Sequence, residues 1–415
     1  MAGSTPANEN EQGPFTETKE ETVGSTPSPN QPPYSAFSPA RKNFILSIVV
    51  AKGFIAPVSA GIYMPLLPVL TEDLNVSLTL VNLTVTVFMI TFAVAPLLFA
   101  SISDSRGRKP VFALGLLIGT ATNIALASAP ANYASFMVLR VLQAFGGSAM
   151  YSPGVGTVAD IFEPKQRGRA ISFYSLGPQL GPILGPLIGG VIAQRSTWRW
   201  TFAFLAIFGG FCLLVSLFLL PETLRSRVGN GAIHCGKSWV QWPTFSAKVD
   251  LKPEEIITQR PRGRNILLFM RHPIVMLSCI NVSIVFGSYY CLSVAFPAAL
   301  KERYGFNPAE IGVAYLAPGG FAFSWTLTTN TTYVTLVQPG QAATLVALSS
   351  LLRNPAAAIG AAVTDPMIRA EGFGWCFTGI AIFDLLSTGI ALLSLAKGPA
   401  WREHFEQKYK SSLVR

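Results

Sequence analysis

Apolar residues run in long blocks along this chain, and polar residues gather in short stretches between them. Ten blocks reach the ~20 residues that a helix needs to cross a hydrocarbon core. They lie near 43–69, 80–102, 110–129, 134–156, 170–193, 200–220, 273–297, 309–337, 342–364 and 374–396. The sixth, Trp200 to Leu220, carries Phe202, Phe204, Phe208 and Phe211 and no charge. The eighth is rich in Thr and interrupted by Pro318, Gly319 and Gly320. The pattern predicts an all-α polytopic membrane protein with about 10 transmembrane helices.

Composition agrees. Half of the residues are hydrophobic, 13% are charged, and mean hydropathy is +0.43. That is too little charge to cover the surface of a soluble protein of 415 residues. A net charge of +10 would suggest nucleic acid in a soluble chain, so its placement decides. With both termini in the cytoplasm, inner segments hold 23 of the 31 Lys and Arg residues, and outer loops hold Arg195, Arg199, Lys301, Arg303 and Arg369. This is the asymmetry that orients helices during insertion, and it accounts for the basic excess with a lipid bilayer and no nucleic acid.

The organisation follows from these blocks. Residues 1–42, rich in Ser, Thr, Pro, Glu and Asn, are expected to be a disordered cytoplasmic tail. Residues 43–220 form an N-terminal six-helix bundle, and 221–272 a basic cytoplasmic connector. Residues 273–396 form a shortened C-terminal bundle of four spans, and 397–415 a cytoplasmic tail. Apolar sequence begins only after Arg41 and Lys42, which is not the layout of a cleavable signal peptide. The five cysteines have no metal-ligand spacing, and no phosphate-binding loop or Ser-His-Asp set occurs. The reading is therefore of a protein that is not an enzyme and has no metal.

Three stretches carry charge or backbone chemistry inside this apolar frame. Ala100 to Pro110 is a short loop with Asp104, Gly107, Arg108 and Lys109 between two spans. In the fourth span Arg140 lies at bilayer depth, where an arginine costs at least ~2.5–3.5 kcal/mol unless it faces the bundle interior or water. Gln143, one turn away, shares its face. The fifth span holds Gly177, Gly181, Gly185 and Gly189 as one small-residue stripe, followed by Gly190. Pro178, Pro182 and Pro186 interrupt it and predict local bending or unwinding. Lys52 and Arg353 are two further cations within spans. If Lys52 and Arg140 reach a central cavity, they favour anionic or neutral cargo. Lys52, Asn281, Tyr289, Tyr290, Asn330 and Tyr333 are candidate cargo contacts, since aromatic and amide groups suit amphipathic ligands.

The loop with Asp104, Gly107, Arg108 and Lys109 resembles the loop between helices two and three of the major facilitator superfamily, with Ala100 where the family has Gly. Arg140 and Gln143 resemble its R-x-x-Q-x-x-G element, which implies a part in proton coupling. Gly181, Gly185, Pro186, Gly189 and Gly190 resemble the antiporter signature of its exporters. With Pro221-Glu222-Thr223, these pieces resemble the fungal drug:proton antiporter branch and its quinidine-resistance clade. The resemblance implies two helical bundles around a central cavity. It also implies export of a small organic solute in exchange for protons, with the proton gradient as the energy source and no cofactor. A monomer in the plasma membrane is expected.

The family has six spans after the connector, where this chain has four. Glu310 to Leu316 resembles the entry into helix eight, and Thr331 to Ala343 the exit of helix ten, as if about two helices were removed between them. A proton-coupled importer or facilitator and a non-transporting truncated membrane protein are the alternatives.

Overall fold

The computed structural model describes residues 34–128, 132–231, 270, 273–317 and 342–413. Among them, seven helices are long and apolar enough to cross a membrane. The first is α1 (Pro39–Gly61), capped by Ser38 and carried on by a 3-10 turn, Met64–Leu66, into α2 (Leu67–Asp73). Then come α3 (Leu78–Arg106), capped by Ser77, and α4 (Arg108–Ser128). The fourth span is divided into α5 (Tyr133–Ser148) and α6 (Tyr151–Ile161). Pro153 brings no N–H to the carbonyl of Ala149, and the junction tightens so that Ala149 and Met150 donate to Gly146 and Gly147. Next are α7 (Pro164–Arg195), α8 (Arg199–Leu219) and the single turn α9 (Arg225–Val228).

The second half begins with α10 (Pro273–Tyr304). The short α11 (Pro308–Ala314) follows, opened by a capping box of Asn307 and Glu310. Last is α12 (Ala342–Leu413), broken at Gly372. Gly372 sits at φ +81°, a conformation that suits glycine, and this turns one hydrogen-bonded run into two spans.

The burial pattern is inverted relative to a protein in water. Arg140, Lys52 and Lys109 are fully enclosed, whereas Ile207, Phe211 and Leu385 are 71%, 63% and 72% exposed. Such a surface is stable only against lipid, with backbone polar groups satisfied inside helices. The molecule is a multi-pass membrane protein.

The two halves use related packing. In the first, α1 packs against α7 and α8; in the second, α10 packs against both segments of α12. The counterparts of α4 and of α5–α6 do not occur among the described second-half residues. The interval 318–341 is too short to hold two spans of about 20 residues. The halves meet where α3 lies against α12 and α7 against α11.

Three expected boundaries change. Residues 34–42 belong to the folded unit: Phe37 is buried, Ala36 donates to the Asn230 carbonyl, and α1 starts at Pro39. The connector is ordered through Gly231, because Pro221–Gly231 packs beneath the first bundle. The C-terminal stretch continues α12 as helix to Leu413. Residues 1–33 and most of the connector lie outside the described residues.

Candidate functional site

Four groups of residues occupy positions that a simple helical bundle would fill with apolar side chains. The first is the latch at the α3–α4 corner. Gly107 adopts φ +108°, and a Cβ there would collide with the Glu222 carboxylate. The two carboxylate oxygens of Glu222 accept from the backbone N–H of Arg108 and Lys109 at 2.9 and 3.2 Å, at the positive end of the α4 dipole. The same carboxylate also accepts from the N–H of Thr223 and Leu224, so it ties the end of the sixth span to the start of the third. Arg108 forks between Asp104 (2.6 Å) and Asp160 (3.2 Å) and also donates to Ser103. Lys109 is buried and donates to the carbonyl of Leu217. Arg225 donates to the carbonyls of Asp160 and Tyr34, with its guanidinium over the Tyr34 ring.

Asp160 lies in the last turn of α6, beyond the apolar run 134–156. Burial pushes its carboxyl up from 3.8 to about 6, against the attraction of Arg108 and Arg225. Two carboxylates share the Arg108 guanidinium.

The second group is inside the first bundle. Arg140 donates to the Ser59 carbonyl at 3.1 Å and to Gln143. Gln143 donates to Asn123, and Asn123 to the Gly119 carbonyl. The guanidinium is enclosed by the Tyr63 and Phe88 rings, 4.1 and 4.4 Å from their centroids. Arg140 therefore does face the bundle interior, and Gln143 shares its side as the spacing predicts.

The third group is the α1–α7 seam. Cβ atoms added at Gly177, Gly181 and Gly189 would strike Val50, Pro57 and Ile62 of the first span, and one at Gly185 would press on Ile62. In return, the rings of Pro178 and Pro186 fit over Gly53 and Gly61. The helix is hydrogen-bonded from Pro164 to Arg195, so the three prolines do not unwind it. Gly190 faces away from α1 and abuts Pro308 and Gly312 of α11 in the other half. One helix thus touches both halves through glycine.

The fourth group lines a narrow cleft between the halves, walled by α1, α3, α6, α7, α10 and α12. Tyr290, one of the candidate cargo contacts, lines it. Other candidate cargo contacts lie elsewhere. Lys52 is packed against α4 with Nζ 3.4 Å from the Phe112 centroid, because the apolar wall gives its stem a dry path and the ring receives its charge. Tyr289 donates to the Pro182 carbonyl, and Asn281 accepts from Ser387 on the last span; both side chains are committed to helix packing. Asn330 and Tyr333 lie outside the described residues. Arg353 and Asn354, which the sequence reading did not place among cargo contacts, line the cavity. The signal was present: Arg353 is a cation in mid-span beside Pro355. Glu222 was visible only as part of a motif, since nothing local says that it reaches Arg108.

Residues 51–402 match the model of the Major Facilitator Superfamily. The chain belongs to that superfamily. Dityrosine transporter 1 of Saccharomyces cerevisiae is 31% identical, over 86% of this chain and 79% of that protein. Multidrug transporter DTR1 of Candida glabrata is 29% identical over 89% and 86%. Citrate exporter 1 of Aspergillus niger is 34% identical over 70% of this chain and 57% of its own. The first of these alignments runs over 454 residues, longer than the whole chain of 415, so that relative carries a stretch which this protein lacks. Among solved structures, the human organic anion transporter MFSD10 superposes with a TM-score of 0.60 at 16% identity, covering 85% of this chain and 100% of that one. At that identity the likeness concerns the fold. Family and relatives are transporters, not enzymes, and the major facilitator fold with fungal transporter relatives is what the motifs implied.

Proposed function

We propose that this chain is a proton-coupled exporter of small organic solutes, working as a monomer in the plasma membrane with both termini in the cytoplasm. The observation that carries this reading is the α7 helix. Its glycines join α1 on one side and α11 on the other, so that a small rotation of the halves slides one backbone on another with no side chain to unlock. The latch residues Asp104, Gly107, Arg108 and Lys109 sit at the cytoplasmic end of the first bundle. The halves are joined at the opposite end, through Glu72 and Lys301 and through Thr79, Asp365 and Arg369. At the latch end the last turns of α3 are exposed.

Asp160 is the group suited to exchange protons with the cytoplasm, and Arg140 with Gln143 stiffens the helix that leads to it. The names of relatives support small organic cargo, from a multidrug transporter to a citrate exporter. The test uses purified protein in liposomes with 2-naphthamide or 2-naphthoate enclosed and a pH difference imposed. Accumulation against the probe gradient that collapses with a protonophore is expected. Flux that ignores the pH difference would overturn proton coupling, and Asp104→Asn should stop energised flux while the protein still elutes as a folded species.

A further inference from the structure

Three cations lie within spans, and they differ in what surrounds them. Lys52 rests on an aromatic ring, and Arg140 is enclosed by two rings, a carbonyl and Gln143. Lys52 Nζ and Arg140 Nε and Nη2 are also buried without an acceptor, but neither residue lines the cleft. Arg353 is the one that borders the central cavity. It is 3% exposed, and its Nη2 donates to the Tyr151 hydroxyl at 2.6 Å. Its guanidinium stands 5.0 Å from both the Tyr151 and Phe286 centroids, and its Nε is buried without an acceptor. No described ion pair includes it. Its neighbour Asn354 is fully buried. The amide nitrogen donates to the Phe92 carbonyl, and Oδ1 has no partner.

A guanidinium does not lose its proton, so burial cannot neutralise it. A desolvated cation without a carboxylate is unfavourable unless something else supplies the anion. Among the described residues the cavity wall offers aromatic and apolar surface from Phe88, Phe92, Phe286 and Tyr290, but no acidic side chain. We infer that the cavity binds an organic anion, with a carboxylate of the ligand on Arg353 and its apolar body against these rings. The Asn354 Oδ1 accepts a hydrogen bond from a donor on the ligand. The Tyr151 hydroxyl receives one from Arg353 and keeps its own proton to give. A cationic ligand meets an uncompensated like charge there, and a neutral one leaves the guanidinium unpaired.

This inference rests on the exporter reading for its meaning but is tested apart from it. Three probes with one ring system are used: 2-naphthoate, 2-naphthamide and 2-naphthylmethylammonium. Their stabilisation of the purified full chain against heat is compared for the wild type, Arg353→Gln, Arg353→Lys and Lys52→Gln. Expected is a preference for the carboxylate over the amide of about tenfold in affinity, typical of a charge-assisted contact. The ammonium probe should not stabilise. Arg353→Gln should erase the preference, Arg353→Lys should keep part of it, and Lys52→Gln should leave it whole. Equal affinity for carboxylate and amide in the wild type overturns the inference, as does a preference that survives Arg353→Gln. If Arg353→Gln does not fold, the wild-type probe series and Arg353→Lys decide. Flux of the amide with no charge preference would sink the anion site and leave the exporter standing. Charge-selective binding with no flux of any probe would do the reverse.

Discussion

At the scale of single residues, the chemistry depends on which buried polar groups find partners. Arg140 serves two acceptors and two rings with one planar group. Lysine places a compact, strongly hydrated charge there and has no planar face to lie between the two rings. Arg140→Lys is therefore expected to lose most of the transport seen with wild type at equal protein in the membrane. Near-normal flux would mean that charge alone matters. Asp160 makes a different prediction. Its carboxyl titrates at about 6 in this arrangement, above its ordinary 3.8, so protonation favours the packing seen here. That contribution is fully present below pH 3.8 and is lost as pH rises through about 6. Acidifying the cytoplasmic side across this window should raise the share of molecules in the present arrangement, measured by labelling of a cysteine placed at Ser105, which is exposed on α3. Asp160→Asn should remove the pH dependence. An unchanged titration in the variant would assign it to another group. The sequence showed the acidic and basic loops but could not show that Arg108 bridges Asp104 to Asp160, because two whole spans separate Asp160 from the other two.

At the scale of elements, adjacent glycines of α7 have unlike tasks. A methyl group at Gly189 would drive into the Ile62 backbone within the first bundle, whereas one at Gly190 would meet Pro308 and Gly312 across the halves. Gly189→Ala should lower thermal stability in detergent, since neither backbone can yield cheaply. Gly190→Ala should leave the first bundle intact and instead loosen the closed end, seen as slower or uncoupled flux with a near-normal melting profile. Gly168, with open space around its Cβ position, is the control, and Gly168→Ala should behave as wild type. If both α7 variants melt alike and transport alike, the division of labour is wrong. The small-residue stripe was legible from spacing alone. The sequence could not say which glycine faces which half, and it predicted unwinding at the prolines where Gly53 and Gly61 make room for their rings.

At the scale of the whole molecule, two halves of unequal content are held together at one end. Glu72 and Lys301 meet at 3.1 Å, but both are largely solvated, so the pair adds little stability by itself. It is more useful as a gauge of motion. With Glu72→Cys and Lys301→Cys joined by a short thiol cross-linker, export should stop and return when a cleavable linker is reduced. Flux that continues through the cross-link would show that these ends need not part. Cys212, Cys279, Cys291 and Cys376 are buried, and Cys235, which lies outside the described residues, is replaced by Ser for this measurement. The second half lacks partners corresponding to α4 and α5–α6 among the described residues, and Trp375, Ile382, Phe383 and Leu385 of its last span are exposed.

The sequence by itself determined the solvent. Long uncharged runs can lower their free energy only in lipid. It also determined which residues are chemically unusual, because a charge or a run of glycine in such a setting stands out locally. What only the tertiary structure decided is where those residues point. Lys52, Arg140 and Arg353 are equivalent as letters, each a cation in an apolar run. One lies on a ring, one is enclosed in a bundle and one borders the cavity, because each contact joins helices far apart in the chain.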